Sequence, residues 1–339
     1  MRGRNDDAMR ANRPIKMLGD DVISICKGII EGRELYFILF HRSGPKHLIC
    51  FKNWSVNLIM DVIESALHLK CRLRDTHCQR MDVLTNSKVM ILQEVNEPFL
   101  NIAVSKAATM LGAYDVTITD KLVWEYDYMG RVFSFMADAI FVSTLTHMCA
   151  QRFAAQSSVP VLCMRSRTHA TVQALATVMA IIEQFGTMRD VNLAYVGSPH
   201  PVLNSYLLLC PMLGANIKFK CCCEKCPVTP LLYKASQEIV EQNHTHLMEC
   251  SCKGLALQDA HVIIAGPSNP KKIDEFKLCI KDVESKTCRP WIFFHTGPRG
   301  KEVDDNLFEH CNSRTFQAFE NFHYIAAAMM AYVIQDYKF

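Results

Sequence analysis

The sequence lacks an apolar run long enough to cross a membrane, and it lacks a long run of charge of one sign. One of its longest apolar runs, Ile325 to Ile334, falls well short of the about 20 residues that a membrane-spanning helix needs. The 37 Lys and Arg residues nearly balance the 34 Asp and Glu residues, which leaves a formal net charge of +3. Because no basic cluster stands out, we expect neither nucleic acid nor a membrane as a partner.

A secretory signal is also missing, which favours a reducing compartment. The 16 cysteines are scattered through apolar segments, as expected for small buried side chains rather than for disulfides. Residues 1–17 are rich in arginine, as mitochondrial presequences are, but Asp6 and Asp7 and the absence of an apolar face favour a flexible tail. We predict a cytoplasmic protein, with the mitochondrial matrix as the alternative.

The order of apolar segments predicts an α/β fold. Strand-like runs such as "SKVMIL" (87–92) and "VPVLCM" (159–164) alternate with helical patterns such as 169–186, which ends at Gly186. Short connections between such elements are typical of doubly wound parallel sheets. A chain of 339 residues can form two domains. We predict one domain from residues 18–168, completed by a helix at 318–339, and a second from residues 169–317.

Four segments carry a resemblance to a known family. They are "FKNWSVNLIMDVIESALHLKCRL" (51–73), "GRVFSFMADAIF" (130–141), "WIFFHTGPRGKEVDDNLF" (291–308) and "FENFHYIAAAMMAYVI" (319–334). In this order and at this spacing, the chain resembles ornithine carbamoyltransferase from about Leu18 to its end. The resemblance implies one α/β domain for carbamoyl phosphate and one for ornithine, no cofactor, and a homotrimer with active sites at subunit boundaries.

The same resemblance identifies the expected phosphate site. The family's Ser-Thr-Arg-Thr-Arg motif begins a helix, where hydroxyls, guanidinium groups and the helix N-terminus hold the phosphate. The aligned residues here are Glu97, Pro98, Phe99, Leu100 and Asn101. They contain no arginine and no hydroxyl, and they add a carboxylate. An ordinary helix start, with Asn96 as the N-cap, accounts for the stretch without any ligand.

Further positions of the implied carbamoyl site also differ. Ser143 stands where the family has an arginine, and Ala170 stands where it has the histidine of His-Pro-x-Gln. Gln173 matches that motif. His169 lies one residue early, a rotation of about 100° on a helix. A one-residue local shift would restore the match, and the alternative, which we predict, is a solvent-facing histidine. Arg165 and Arg167 are the nearby cations that could replace the missing arginines.

The implied ornithine site is altered in the same way. Gly266 stands at the substrate-binding Asp, and Thr296 at the substrate-side cysteine. "GSPHP" (197–201) and "SNPKK" (268–272) replace the family's Gly-Asp-Gly-Asn-Asn and Ser-Met-Gly motifs. His295 and Arg299 match the family, with Pro298 between them, and we interpret Arg299 as a structural fork to carbonyl or carboxylate groups. The loop between Asp120 and Arg131 lacks the histidine that reaches a neighbouring subunit.

A separate cysteine-rich region suggests metal chemistry. Cys223 and Cys226 form a Cys-x-x-Cys motif, and Cys250 and Cys252 form a Cys-x-Cys motif on the other side of a predicted helix. Thiolates at such spacing suit tetrahedral zinc if the two motifs meet in space. A cysteine-rich surface connection without metal is the alternative.

Three functions remain open from the sequence. The first is a carbamoyltransferase-like protein that has lost catalysis and keeps the fold for interaction or assembly. The second is an active carbamoyltransferase for an amino acid such as ornithine, or for altered substrates. The third is a metal- or redox-responsive binding module. The first and second differ in whether any group replaces the missing phosphate-binding arginines, and the third requires stoichiometric zinc.

Overall fold

The structure is a computed structural model. It describes residues 44–76, 80–120, 124, 126, 128–221, 229–267 and 273–339, and the backbone of two strands at 23–30 and 33–40. The predicted tail at 1–17 lies outside the described residues. The chain divides into two compact units, Met1–Pro45 and Lys46–Phe339.

The described residues form eleven strands and twelve helices. The strands are β1 (Ile23–Ile30), β2 (Arg33–Phe40), β3 (Lys88–Gln93), β4 (Tyr114–Thr119), β5 (Ala139–Ser143), β6 (Val161–Arg165), β7 (Asn192–Gly197), β8 (Asn216–Cys221), β9 (Leu247–Glu249), β10 (Val262–Ala265) and β11 (Ile292–His295). The helices are α1 (Val56–Thr76), α2 (Pro98–Met110), α3 (Met129–Ser134), α4 (His147–Gln156), α5 (Thr171–Phe185), α6 (Pro201–Met212), α7 (Pro230–Asn243), α8 (Lys253–Leu257), α9 (Ile273–Phe276), α10 (Ile280–Glu284), α11 (Asp305–Phe308) and α12 (Thr315–Gln335).

The strands form three sheets. In the unit Met1–Pro45, β1 pairs with β2 in an antiparallel hairpin. In the unit Lys46–Phe339, a four-stranded sheet has the order β4-β3-β5-β6, and a five-stranded sheet has the order β11-β10-β7-β8-β9. Every pairing in these two sheets is parallel. The prediction of an α/β fold with two parallel sheets is confirmed.

Burial explains why the central strands are continuously apolar. All five residues of β5 are buried, as expected for a parallel strand with helices on both faces of its sheet. Helix α5 is buried from Thr171 to Val178 apart from Gln173, which is only partly exposed, and it packs against α6 and α12. It ends at Gly186, which adopts the left-handed conformation and donates its N–H to the carbonyl of Ile182, as the sequence predicted.

A charge network around the buried Lys70 joins three helices. The Nζ atom of Lys70 on α1 lies 2.7 Å from a carboxylate oxygen of Glu183 on α5 and 2.6 Å from Oδ1 of Asn321 on α12. Lys70 is 2% exposed. A lysine in such a place requires this pairing, because an unpaired buried ammonium group would cost several kcal/mol.

Two features of the fold bear on the expectations from sequence. Both parallel sheets lie in one compact unit, so the predicted domain boundary after residue 168 stays a prediction. None of the helices in the described ranges combines the length and the apolar content needed to cross a membrane.

Candidate functional site

A cleft of about 920 Å³ opens at the carboxyl ends of four parallel strands from both sheets. Its lining comes from the segments that follow β3, β5, β6 and β7, together with Thr229 before α7. Ligands of open α/β sheets bind at this end of the strands. Hydroxyl groups are frequent in the lining, including those of Thr144, Thr146, Ser166 and Thr168.

The N-terminus of α2 enters this cleft with a carboxylate. Glu97, and not Asn96 as predicted, is the N-cap residue, and Pro98 is the first helical residue. Oε1 of Gln93 accepts the Glu97 N–H at 2.9 Å, and the Glu97 side chain makes no capping hydrogen bond to the helix. The Glu97 carboxylate instead lies 2.5 Å from the guanidinium of Arg165, the last residue of β6.

The rest of the motif-aligned stretch has structural contacts. Phe99 is 71% exposed and contacts the ring of Phe319, whereas Leu100 is buried in the core. Oδ1 of Asn101 accepts a hydrogen bond from the hydroxyl of Thr117 at 3.1 Å. None of these three side chains is among the residues that line the cleft.

Two arginines lie in the cleft, and they differ in their partners. Arg165 is one-third exposed and paired with Glu97. Arg167 is exposed and has no acidic partner among the described residues. Since one carboxylate balances one of the two guanidinium groups, the local charge of this trio is +1 rather than +2.

Three buried polar atoms at strand ends have no hydrogen-bond partner in the described part of the chain. They are Nε2 of Gln93 at the end of β3, Oγ of Ser143 at the end of β5, and Oγ1 of Thr296 after β11. Buried polar atoms are nearly always paired, with water or a ligand where no protein group serves. These strand ends are therefore suited to ordered water or a small polar ligand.

The three residues that match the family's motifs are held by the protein itself. Nε2 of Gln173 donates to the carbonyl of Thr296 at 2.8 Å and so fixes α5 to the loop after β11. Nδ1 of His295 accepts the Gly297 N–H at 2.9 Å, which leaves Nε2–H to donate to Glu302 at 2.7 Å. Burial lowers the pKa of His295, although Glu302 acts in the opposite direction. His295 is thus a neutral, fully bonded imidazole.

Arg299 has the structural contacts that we inferred from the sequence. Its Nη2 donates to the carbonyl of Val303 at 3.1 Å and to the carboxylate of Asp305. Its guanidinium also lies 4.4 Å from the ring centre of Phe308. The group that could grip an anion is therefore used to fix the segment before α11.

Gly266, which the resemblance predicts at the ornithine-binding position, packs closely against an aromatic ring. A Cβ atom on Gly266 would lie 2.2 Å from the hydroxyl oxygen of Tyr195 and 2.8 Å from the carbonyl of Ser198. Tyr195 is 1% exposed, and its hydroxyl donates to Ser198. Only glycine fits beside this ring. No pattern in the sequence indicates this pairing, because Tyr195 lies in β7 and Gly266 follows β10.

Of the two segments predicted to replace the ornithine motifs, the structure describes one. The first of the two replaced ornithine motifs, 197–201, places His200 at the N-terminus of α6, where its Nδ1 accepts the Val202 N–H at 3.2 Å. Burial lowers the pKa of His200 to about 3, so it is a neutral capping residue. The second, 268–272, lies outside the described residues.

The prediction that His169 faces solvent on a helix is wrong. His169 is 3% exposed and precedes α5, whose N-cap is Ala170. The Ala170 N–H donates to the hydroxyl of Ser205 at 3.0 Å, and α5 starts at Thr171, two residues later than the sequence pattern indicated. Burial, with a contribution from His147, lowers the pKa of His169 to about 3.

The two cysteine motifs are only half described. Cys250 is buried after β9, and Cys252 is the exposed N-cap of α8. Cys223 and Cys226 lie outside the described residues. A zinc site that joins the two motifs stays a prediction.

Comparison with known proteins agrees with this architecture. Residues 189–333 match the Asp/Orn-binding domain of the aspartate/ornithine carbamoyltransferases. The mitochondrial ornithine carbamoyltransferase of Aquarana catesbeiana is 22% identical over 316 residues, 86% of this chain and 88% of that protein. Ornithine carbamoyltransferase of Prochlorococcus marinus is 29% identical over 219 residues, 59% of this chain and 66% of that protein.

A solved structure shows the same fold over most of the chain. Ornithine carbamoyltransferase from Pyrococcus furiosus has a TM-score of 0.81 at 21% identity, and the match covers 87% of this chain and 99% of that one. Two parallel sheets with a cleft at their carboxyl ends thus define an α/β protein of the carbamoyltransferase type. The chain is thus similar to the aspartate/ornithine carbamoyltransferases in the sequence of residues 189–333 and in its fold.

Proposed function

We propose that this chain is a carbamoyltransferase-like protein that does not transfer a carbamoyl group to ornithine. One observation carries the proposal: the Glu97 carboxylate is paired with Arg165 in the cleft, at the helix start where the family's phosphate motif is expected. A phosphate there would face this carboxylate and would compete with it for the same guanidinium. Like charges in a partly buried cleft repel by several kcal/mol.

The amino-acid side of the cleft supports the same proposal. Carbamoyl transfer requires the amine of the second substrate to be oriented against the carbamoyl carbon. The carboxylate that resemblance implies for this task is replaced by Gly266, and Tyr195 fills the adjacent space. Its matched neighbours His295 and Arg299 are bonded within the protein.

A second candidate is an active transferase with altered substrates. It is favoured by the exposed Arg167 and by the unpartnered polar atoms of Gln93, Ser143 and Thr296, which would suit a small polar ligand. The relatives named above are ornithine carbamoyltransferases, so this candidate keeps the family's chemistry.

Calorimetry separates the two candidates. Purified full-length protein is titrated with carbamoyl phosphate and, separately, with a bisubstrate phosphonate analogue, and citrulline formation from ornithine is assayed in parallel. We expect no measurable heat of binding and no citrulline. Millimolar or tighter binding of carbamoyl phosphate would refute the loss of the phosphate site, and citrulline above background would refute the loss of catalysis.

The assembly and the compartment are also part of this proposal. We propose a homotrimer, on the basis of the family resemblance, and light scattering that shows only monomer at micromolar concentration would contradict it. We propose the cytoplasm, with the mitochondrial matrix as the alternative, since the relative from Aquarana catesbeiana is a mitochondrial protein. Imaging of the full chain with a C-terminal fluorescent tag would distinguish the two compartments.

A further inference from the structure

Three metal-ligating side chains from separate segments meet beside the cleft. They are Cys50, His147 and His169, and one ligand atom from each lies within 4.8 Å of the other two. Cys50 and His147 are half-buried, and His169 is buried. The two imidazole rings have their centres 5.0 Å apart in an edge-on arrangement.

The fold itself brings these ligands together. Leu48 pairs with Leu162 as a parallel extension of the four-stranded sheet, which carries Cys50 to the carboxyl end of β6. His147 is the first residue of α4, which follows β5, and His169 lies in the turn between β6 and α5. His147 thus begins a helix, Cys50 lies two residues after the Leu48 bridge, and His169 lies four residues after the end of β6.

Serine hydroxyl groups hold both rings in place. Nδ1 of His147 lies 3.3 Å from Oγ of Ser166, and Nδ1 of His169 lies 3.4 Å from Oγ of Ser205. The Ser166 hydroxyl also accepts the His169 N–H at 3.0 Å. Within the described ranges, Nε2 of both rings has no hydrogen-bond partner. This is the usual state of metal-binding histidines, whose second nitrogen is oriented by an outer partner.

We propose that Cys50, His147 and His169 bind Zn²⁺. One thiolate and two imidazoles are a ligand set that zinc uses in proteins, and three protein ligands leave a fourth tetrahedral position for water or another ligand. Bonds of about 2.0–2.3 Å to the metal place neighbouring ligand atoms roughly 3.5 Å apart. Closing from 4.8 Å to that spacing requires movement of about 1 Å, which the half-buried Cys50 and His147 can supply.

The site is distinct from the cysteine motifs singled out in the sequence. It uses neither Cys-x-x-Cys nor Cys-x-Cys, and its ligands come from three distant segments. It also adjoins the cleft, since Ser166 both lines the cleft and contacts His147. The proposal does not depend on the loss of carbamoyl transfer.

Cobalt provides the test, because thiolate-bound Co²⁺ gives a near-ultraviolet charge-transfer absorption. Full-length protein is stripped of metal with a chelator, kept reduced and titrated with Co²⁺, and Zn²⁺ is then added as competitor. We expect one equivalent of Co²⁺ to produce the absorption and Zn²⁺ to abolish it. The absorption should be lost in Cys50→Ser. In His147→Gln the affinity should fall by more than the roughly 10- to 100-fold that loss of an outer partner costs.

Matched variants decide between this site and other cysteines. Cys311→Ser removes an exposed cysteine elsewhere and should change nothing. The double variant Cys223→Ser, Cys226→Ser should also keep the absorption. The proposal is overturned if wild type gives no thiolate absorption, if Cys50→Ser retains it with its circular dichroism unchanged, or if the double variant loses it. His147→Gln and Cys50→Ser each measure metal binding on their own. If one of the two variants fails to fold, the other still tests the proposal.

Discussion

The ion pair between Glu97 and Arg165 leads to a quantitative prediction about anion binding. Glu97→Gln keeps the size of the side chain and removes its charge. The Arg165 guanidinium then becomes available to an added anion, and the exposed Arg167 lies in the same cleft. We expect inorganic phosphate and carbamoyl phosphate to bind this variant more tightly than they bind the natural chain.

The magnitude follows from the exposure of the pair. Two unit charges about 4 Å apart interact by about 4 kcal/mol at an effective dielectric constant of about 20. The Arg165 side chain is 34% exposed and that of Glu97 is 18% exposed, so solvent screens part of this energy. A gain of about 2 kcal/mol remains, which agrees with the about 1.5–3 kcal/mol typical of a hydrogen bond to a charged group. It corresponds to roughly 30-fold in affinity.

Calorimetric titration with phosphate at low ionic strength tests this gain, and we expect detectable heat of binding in Glu97→Gln where the natural chain gives none. Glu284→Gln is the matched control, because it removes an exposed carboxylate on α10, away from the cleft. The gain in Glu97→Gln should shrink as salt is added, since the contact is partly solvated. Equal phosphate affinity in natural chain, control and Glu97→Gln would show that Arg165 is not the anion-binding group in the cleft.

Three further predictions concern stability and repair. Lys70→Met should lower the free energy of unfolding by about 3 kcal/mol in urea denaturation, because Lys70 is buried and its loss leaves the partly exposed Glu183 carboxylate without its cation. The free energy of unfolding should also fall as pH drops from 6.5 to 4, since burial lowers the pKa of His200 to about 3 and of His323 to about 4. The unfolded chain takes up protons in this range that the folded chain refuses, which costs up to about 1.4 kcal/mol per pH unit for each histidine. Placing Ser-Thr-Arg-Thr-Arg at 97–101 should strengthen phosphate binding in calorimetry yet yield no citrulline from ornithine, because the space beside Gly266 stays filled.

Each of these predictions has a control. Lys52→Met removes an exposed lysine and should cost little, so equal losses in the two variants would contradict the network around Lys70. His323→Gln should make the pH dependence shallower, and an unchanged slope would show that this imidazole is not the group that titrates. Turnover of ornithine by the grafted variant would show that the second half of the cleft still binds an amino acid.

Local pattern accounts for the parts of the fold that the sequence predicted. Apolar runs such as β5 predict strands because these strands are buried on both faces. Gly186 ends α5 because glycine adopts the left-handed conformation without strain. The start of α2 was misplaced by one residue, and Gln93, a residue of the preceding strand, accepts the Glu97 N–H there. His169 was misjudged in a similar way, and Ser205 from another helix accepts the N–H of the next residue.

Contacts between distant segments account for what the sequence did not reveal about the site. Glu97 follows β3 and Arg165 ends β6, so their pairing depends on the strand order of the sheet. Tyr195 and Gly266 meet only because β7 and β10 are neighbours. The structure shows contacts between distant segments that no single stretch of the sequence reveals.

Ser166 connects the proposed metal site to the cleft. Ser166 lines the cleft, and its hydroxyl lies near His147 and accepts the N–H of His169. A Zn²⁺ ion with one thiolate ligand would add a net positive charge at that edge of the cleft. The Glu97 carboxylate, in contrast, neutralises the positive charge of Arg165. Phosphate titrations with a chelator and with added zinc therefore compare phosphate affinity at two different net charges of the cleft. If affinity for phosphate rises with zinc in the natural chain but not in Cys50→Ser, the metal and not the arginine pair supplies the cation that an anion meets in this cleft.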